Sequence, residues 1–134
     1  MIHKISVATR ARSEFIDITA KIDSAVRNSK ISSGFCFVYV PHTTAAVTVN
    51  ENADASVRAD IIKALDRAIP IEAGYRHSEG NSAAHVKSSI VGSGITLIVE
   101  EGSLVLGAWQ GVYFCEFDGP RQRTVLIKVT ETKP

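Results

Sequence analysis

No sign of charge predominates in this 134-residue chain: 15 Lys and Arg stand against 14 Asp and Glu. There is thus no overall field to draw it to DNA, RNA or an anionic membrane, and nucleic-acid binding is not expected. No stretch of eighteen apolar residues and no apolar leader at the N-terminus is present, which argues against membrane spanning and against secretion and predicts a soluble cytoplasmic protein. Cysteine is scarce. Cys36 and Cys115 lie inside the apolar runs Phe35-Cys36-Phe37-Val38 and Val112-Tyr113-Phe114-Cys115, where a thiol behaves as a small buried hydrophobe. A reducing cytosol disfavours a disulfide between them. Internal repeats, low-complexity tracts and linkers are also missing.

What is present suffices for one domain spanning residues 1–134. With 45% hydrophobic residues, a chain of this size buries roughly two-thirds of its unfolded surface and needs no metal or disulfide to fold. Period-two alternation predicts strands at Ile2 to Val7 and Arg123 to Thr130, with others at Gly34 to Val40, Ala46 to Asn50, Ile95 to Glu100 and Gln110 to Phe117. Glycines between the later strands suit hairpins, so the second half reads as antiparallel sheet. Apolar spacings of three and four predict a helix from Ala53 to Ala68, stopped by Pro70, with Asn52 or Asp54 as cap. Further helices are predicted at Ser82 to Val91, capped by Asn81 or Ser82, and at Thr19 to Ser29. The fold class is α+β. Ile69 to Asn81 has no apolar period, and a connection this long is often functional.

Three of the four histidines sit in polar company, in His42-Thr43-Thr44, in Arg76-His77-Ser78-Glu79 and in His85-Val86-Lys87-Ser88-Ser89. Imidazole is the usual general base near neutral pH and a common ligand for a borderline metal, which makes His42, His77 and His85 the candidate metal ligands. Each alone would equally suit a structural role. Glu51 and Asp54 are the carboxylates expected near His42. The start of the helix carrying His85 offers free N–H groups and a positive dipole end to an anion, with Lys87, Ser88 and Ser89 as added donors. Arg121 and Arg123 form a late basic pair whose guanidinium forks suit phosphate. Trp109 reads either as a packing or subunit-interface anchor or as a stacking platform.

Across nearly the whole chain, the runs His42-Thr43-Thr44-Ala45, Asn50-Glu51-Asn52-Ala53-Asp54, His85-Val86-Lys87-Ser88-Ser89 and Gly107-Ala108-Trp109-Gln110-Gly111-Val112-Tyr113, followed by the Arg121 and Arg123 loop, resemble the YjbQ-like family. That resemblance implies a mixed or antiparallel β-sandwich flanked by helices and a homotrimer. It also implies a subunit-interface cleft lined by the three histidines, Asn50, Glu51, Trp109, Gln110 and the late arginines. The family is named for a secondary thiamine-phosphate synthase activity, a condensation that joins a pyrimidine diphosphate to a thiazole phosphate and releases pyrophosphate. Asn81 departs from the pattern, which has an aspartate there.

The expected function is that of a metal-assisted enzyme acting on a small phosphorylated molecule, with thiamine-phosphate synthesis as the named candidate. Glu51, His42 and His85 would be catalytic, and Asn50, Lys87, Ser88, Ser89, Trp109, Gln110, Arg121 and Arg123 would bind the substrate. Three imidazoles favour zinc over magnesium as the divalent ion, because magnesium prefers oxygen donors. A metal-dependent hydrolase uses the same residues. The alternatives from other classes are a trimeric protein that binds a small anion or a metal without turnover, and a purely structural role for the histidines and Trp109 in subunit packing.

Overall fold

The computed structural model describes residues 1–133. The elements run β1 (Ile2–Ala8), β2 (Glu14–Asp17), α1 (Thr19–Ser29), β3 (Gly34–Tyr39), β4 (Ala45–Glu51), α2 (Ala55–Ala68), α3 (Ser82–Val91), β5 (Gly94–Glu100), β6 (Ser103–Val105), β7 (Gln110–Glu116) and β8 (Gln122–Glu131). They form a five-stranded sheet in the order β1-β8-β3-β5-β6 and a three-stranded sheet in the order β2-β7-β4. Every pairing is antiparallel. The α+β class and the helix-flanked sandwich expected from sequence are therefore what the chain adopts.

Strand alternation decides which side chains meet. Cys36 and Val38 of β3, Val125, Ile127 and Val129 of β8, and Val112 and Phe114 of β7 turn into the space between the sheets, where α1 closes one side with Ile22, Ala25 and Val26. The other face of the small sheet presents Phe15, Ala46, Tyr113 and Cys115 to a second core, covered by Ala84 of α3 and by half-buried Ile61, Ile62 and Leu65 of α2. Strand β7 thus lies between two cores, and Gly111 to Phe117 are all buried. That accounts for its unbroken apolar run. Both cysteines are free and buried; burial pushes the Cys36 thiol up to about 11 and the Cys115 thiol further up.

Differences from the sequence reading are local. Helix α2 begins two residues later than Ala53, because Asp54 takes the cap position and accepts the Ser56 N–H at 2.9 Å. Asn52 instead donates to Asp17 Oδ2 at 3.2 Å. Strand β2 is four residues long and β6 three, too short for a period to emerge. Strand β6 pairs back on β5 through Glu101-Gly102, both at positive φ, the hairpin geometry in which Gly102 carries no steric penalty. Residues Pro70 to Gly80 are all exposed. No described helix is long and apolar enough to cross a membrane.

Candidate functional site

Three connections converge at one end of the sandwich: the β3–β4 turn carrying His42, the β7–β8 loop carrying Asp118 and Arg121, and the 69–81 segment leading into α3. Between them lies a cleft of about 470 Å³ lined by His42, His77 and His85 together with Arg121 and Arg123. The three histidines singled out in the sequence, spread over more than 40 positions of the chain, share this cleft with both late arginines.

His42 is half-buried, and its Nε2 accepts the backbone N–H of Thr124 at 3.0 Å. A neutral imidazole that accepts at one nitrogen carries its proton on the other, so Nδ1–H is the donor left for a ligand. Burial, and then the Arg123 charge, hold the ring below its ordinary value of 6.5 against the opposite pull of Glu116. The ring is therefore neutral at pH 7.

Arg123 is buried at the end of the inter-sheet core. Its Nε donates to Glu116 Oε1 at 2.8 Å, and its Nη2 donates both to Glu116 Oε2 and to Thr44 Oγ1 at 2.8 Å. Glu116, with 0% of its surface exposed, also accepts from Thr9 Oγ1 at 2.7 Å and from the Asp118 N–H at 3.0 Å. Burial alone would raise this carboxyl. The bonds from Arg123, Thr9 and Asp118 outweigh burial and hold it below the ordinary 4.5. Arg121 is more exposed and follows a similar pattern: Nε donates to the Asp118 carbonyl at 2.9 Å and Nη2 to Asp118 Oδ2 at 3.0 Å. In both arginines Nη1 has no partner among the described residues. Arg121 Nη1, Arg123 Nη1 and His42 Nδ1–H are thus unpartnered donors on residues that line one cleft.

The opposite wall differs in chemistry. His85, in the first turn of α3, meets His77 edge to face with ring centroids 5.4 Å apart, and neither ring hydrogen-bonds to a described residue. Asn81 occupies the N-cap position of α3 without capping it. Its Nδ2 donates to Asp118 Oδ2 at 2.9 Å, while its Oδ1 is buried and unpartnered. Among the described residues no three His, Cys, Asp or Glu side chains form a ready metal cage. His42 has already committed Nε2 to Thr124.

Several expected ligands lie elsewhere. Lys87 faces away from the cleft: its buried ammonium donates to Asp66 Oδ1 of α2 at 2.5 Å and stands 5.9 Å from the Phe117 ring. Ser88 and Ser89 border an adjoining groove shared with His42 and His85, but their hydroxyls donate to the carbonyls of Ala45 at 2.6 Å and His85 at 3.0 Å. Asn50, Glu51, Trp109 and Gln110 form a separate group at the far end of β4 and β7, where Glu51 pairs with Gln110. A seven-residue strand is roughly 20 Å long, so within one chain Glu51 is no partner for His42. The carboxylates near His42 are Glu116, Asp118 and Glu79 instead. Asn50 Oδ1 accepts from its neighbour's N–H and Gln110 Oε1 from Gly107 N–H, while Trp109 is 65% exposed. A second recess, about 500 Å³, lies between α1 and β6; there Asp23 and Arg27 pair with each other at 2.7 Å.

Glu116 and Asp118 are site residues that the sequence reading missed, although for Glu116 a signal existed. It is a lone acid inside an apolar run, in step with the inward-facing Val112 and Phe114.

A profile described as "UPF0047 protein YjbQ-like" matches residues 3–132. A UPF0047 protein of Methanocaldococcus jannaschii is 49% identical, covering 99% of this chain and 96% of the relative. The UPF0047 protein YugU of Bacillus subtilis is also 49% identical, covering 96% and 98%. Among solved structures, a YjbQ/UPF0047 family protein of Clostridium acetobutylicum superposes with a TM-score of 0.94 at 48% identity, covering 96% of this chain and 99% of that one. A YbjQ-like protein of Sulfolobus solfataricus superposes at 0.95 with 30% identity, covering 98% and 97%.

Proposed function

The chain belongs to the UPF0047 YjbQ-like family, and from that premise we propose that it is an enzyme acting on a small phosphorylated molecule bound in the His42–His77–His85 cleft. The observation that carries this reading is the set of unpartnered donors, Arg121 Nη1, Arg123 Nη1 and His42 Nδ1–H, on residues lining one cavity of about 470 Å³. That volume suits a small metabolite. Charge-assisted N–H donors of this kind recognise phosphate oxygens. On the facing wall His77 and His85 have free ring nitrogens, so they are the groups available to take or give a proton on the bound molecule.

As for a metal, the donor set fits in part. His77 and His85 would be the imidazoles to hold a zinc-type ion, which when bound would supply fixed positive charge beside the phosphate. His42 does not fit as a third ligand while Nε2 accepts from Thr124. The buried, unpartnered Asn81 Oδ1 nearby is an acceptor that suits a cation or a ligand hydroxyl.

A single-substrate reaction such as phosphate-ester hydrolysis is favoured over thiamine-phosphate condensation within one chain. Among the described residues no Trp, Tyr or Phe lines the cleft itself to stack a pyrimidine; Tyr75 lines only the adjoining recess beside His77 and His85, and Trp109 is at the far end of β7. The condensation would need Tyr75 to turn in from that recess or a neighbouring copy to supply such a platform. We also propose a homotrimer, because the outer face of the five-stranded sheet leaves Phe35, Phe37, Tyr39 and Ile98 exposed with no helix over them.

The test combines a screen of phosphorylated small molecules with elemental analysis of untagged protein, for wild type and His85→Ala. The expected result is turnover by the wild type that falls at least about a hundredfold in the variant, with unchanged circular dichroism. A variant with full activity and unchanged metal content would exclude the assignment.

A further inference from the structure

We infer that Glu116 is a positioning residue of this cleft: its buried carboxylate fixes Arg123 so that Nη1 alone is offered to a bound phosphate, making the site a set of aimed N–H donors rather than a region of positive charge. The inference rests on the phosphate-cleft reading above and deepens it.

The fold brings the two residues together by strand parity. Glu116 is in step with Val112 and Phe114 on β7, and Arg123 with Val125 and Ile127 on β8, so both point into the space between the sheets at its open end. There the carboxylate receives four donors: Arg123 Nε, Arg123 Nη2, Thr9 Oγ1 and the Asp118 N–H. Two bonds to one planar fork fix the orientation of the guanidinium as well as its position. Thr44 takes a further proton of Nη2, which leaves Nη1 as the nitrogen without a partner among the described residues. Asp118 holds Arg121 in a similar way through Nη2 and the carbonyl.

A consequence for ligand choice follows from the charges. Each guanidinium has its own carboxylate, and Glu79 adds another on the cleft wall. Two guanidiniums thus stand against three carboxylates, so the cleft has no positive field, and affinity must come from donors already pointed at the ligand, which lose little freedom when it binds. Such a site prefers a compact tetrahedral oxyanion whose oxygens meet several donors at once, and its affinity changes little with salt.

Titration calorimetry of inorganic phosphate into wild type, Glu116→Gln and Glu116→Asp separates aimed donors from net charge. Removing a negative charge would tighten a site that binds through its field. A site that binds through aimed donors weakens in both variants, by about tenfold or more. Glu116→Gln binding as well as wild type or better would overturn the inference and leave the cleft reading intact. No phosphate binding by the wild type would overturn both. Should the variants fail to fold, nitrogen-15 spectra of the wild-type arginine side chains decide. The expected result is an Arg123 Nε–H protected from exchange, with phosphate shifting Nη1. A freely exchanging Nε–H would contradict a fixed guanidinium.

Discussion

This molecule has a buried ammonium, on Lys87, and a buried guanidinium, on Arg123, and their partners decide which serves the cleft. Arg123 retains a free nitrogen after satisfying Glu116 and Thr44. Lys87 has a compact charge held by Asp66 and the face of Phe117, on the side of α3 away from the histidines. It therefore ties α3 to α2, and phosphate binding is expected not to depend on it. Lys87→Met removes the buried charge at similar volume and is expected to stay within about 1 kcal/mol of wild-type stability. Asp66→Asn leaves the ammonium buried without its carboxylate and is expected to cost about 1–3 kcal/mol. Urea denaturation measures both, and phosphate affinity should be unchanged in Lys87→Met. A loss of affinity there would return Lys87 to the site. The sequence held the clue: Lys87 lies three residues from Ala84 and four from Val91, on the stripe that α3 turns inward.

Among the elements, the most legible were those with a sustained period. Helices α1 and α3 match the residues that their spacing predicts, and β3 and β8 follow their alternation to within two residues at each end. Strands β2 and β6 escaped notice because three or four residues carry no period, and their pairing is decided by β7 and β5. The histidines and arginines were legible as candidates that share a cleft, because polar groups with reactive side chains cluster around sites more often than around cores. Which of them meet was not legible, since that depends on strand direction: β4 separates Thr44, just before its start, from Glu51 at its far end. Alternation on β3 has a second consequence. With Cys36 and Val38 turned inward, Phe35, Phe37 and Tyr39 must face outward, where they adjoin Ile98 across the β3–β5 ladder. If this face joins the copies of a trimer, Phe37→Asp is expected to yield monomers with native circular dichroism in sedimentation velocity. A wild type that sediments as a monomer, or a variant that remains a trimer, would refute that assembly.

For the molecule as a whole, surface area points the same way. A compact monomer of 14.4 kDa exposes about 6,800 Å², whereas this chain exposes 7829 Å². The excess of roughly 1,000 Å² is comparable to what one partner buries in a stable interface. Two polar ends separated by the length of β4 and β7, one with the histidines and arginines and one with Trp109 and Glu51, give the chain two distinct surfaces. Phosphate is expected at the first. The most direct test is an amide chemical-shift map of nitrogen-15-labelled protein titrated with inorganic phosphate. Shifts concentrated at Thr43, Asn81 to His85, Arg121 and Thr124 are the expected result. Shifts confined to Asn50 to Asn52 and Gly107 to Gly111, or none at all, would contradict it.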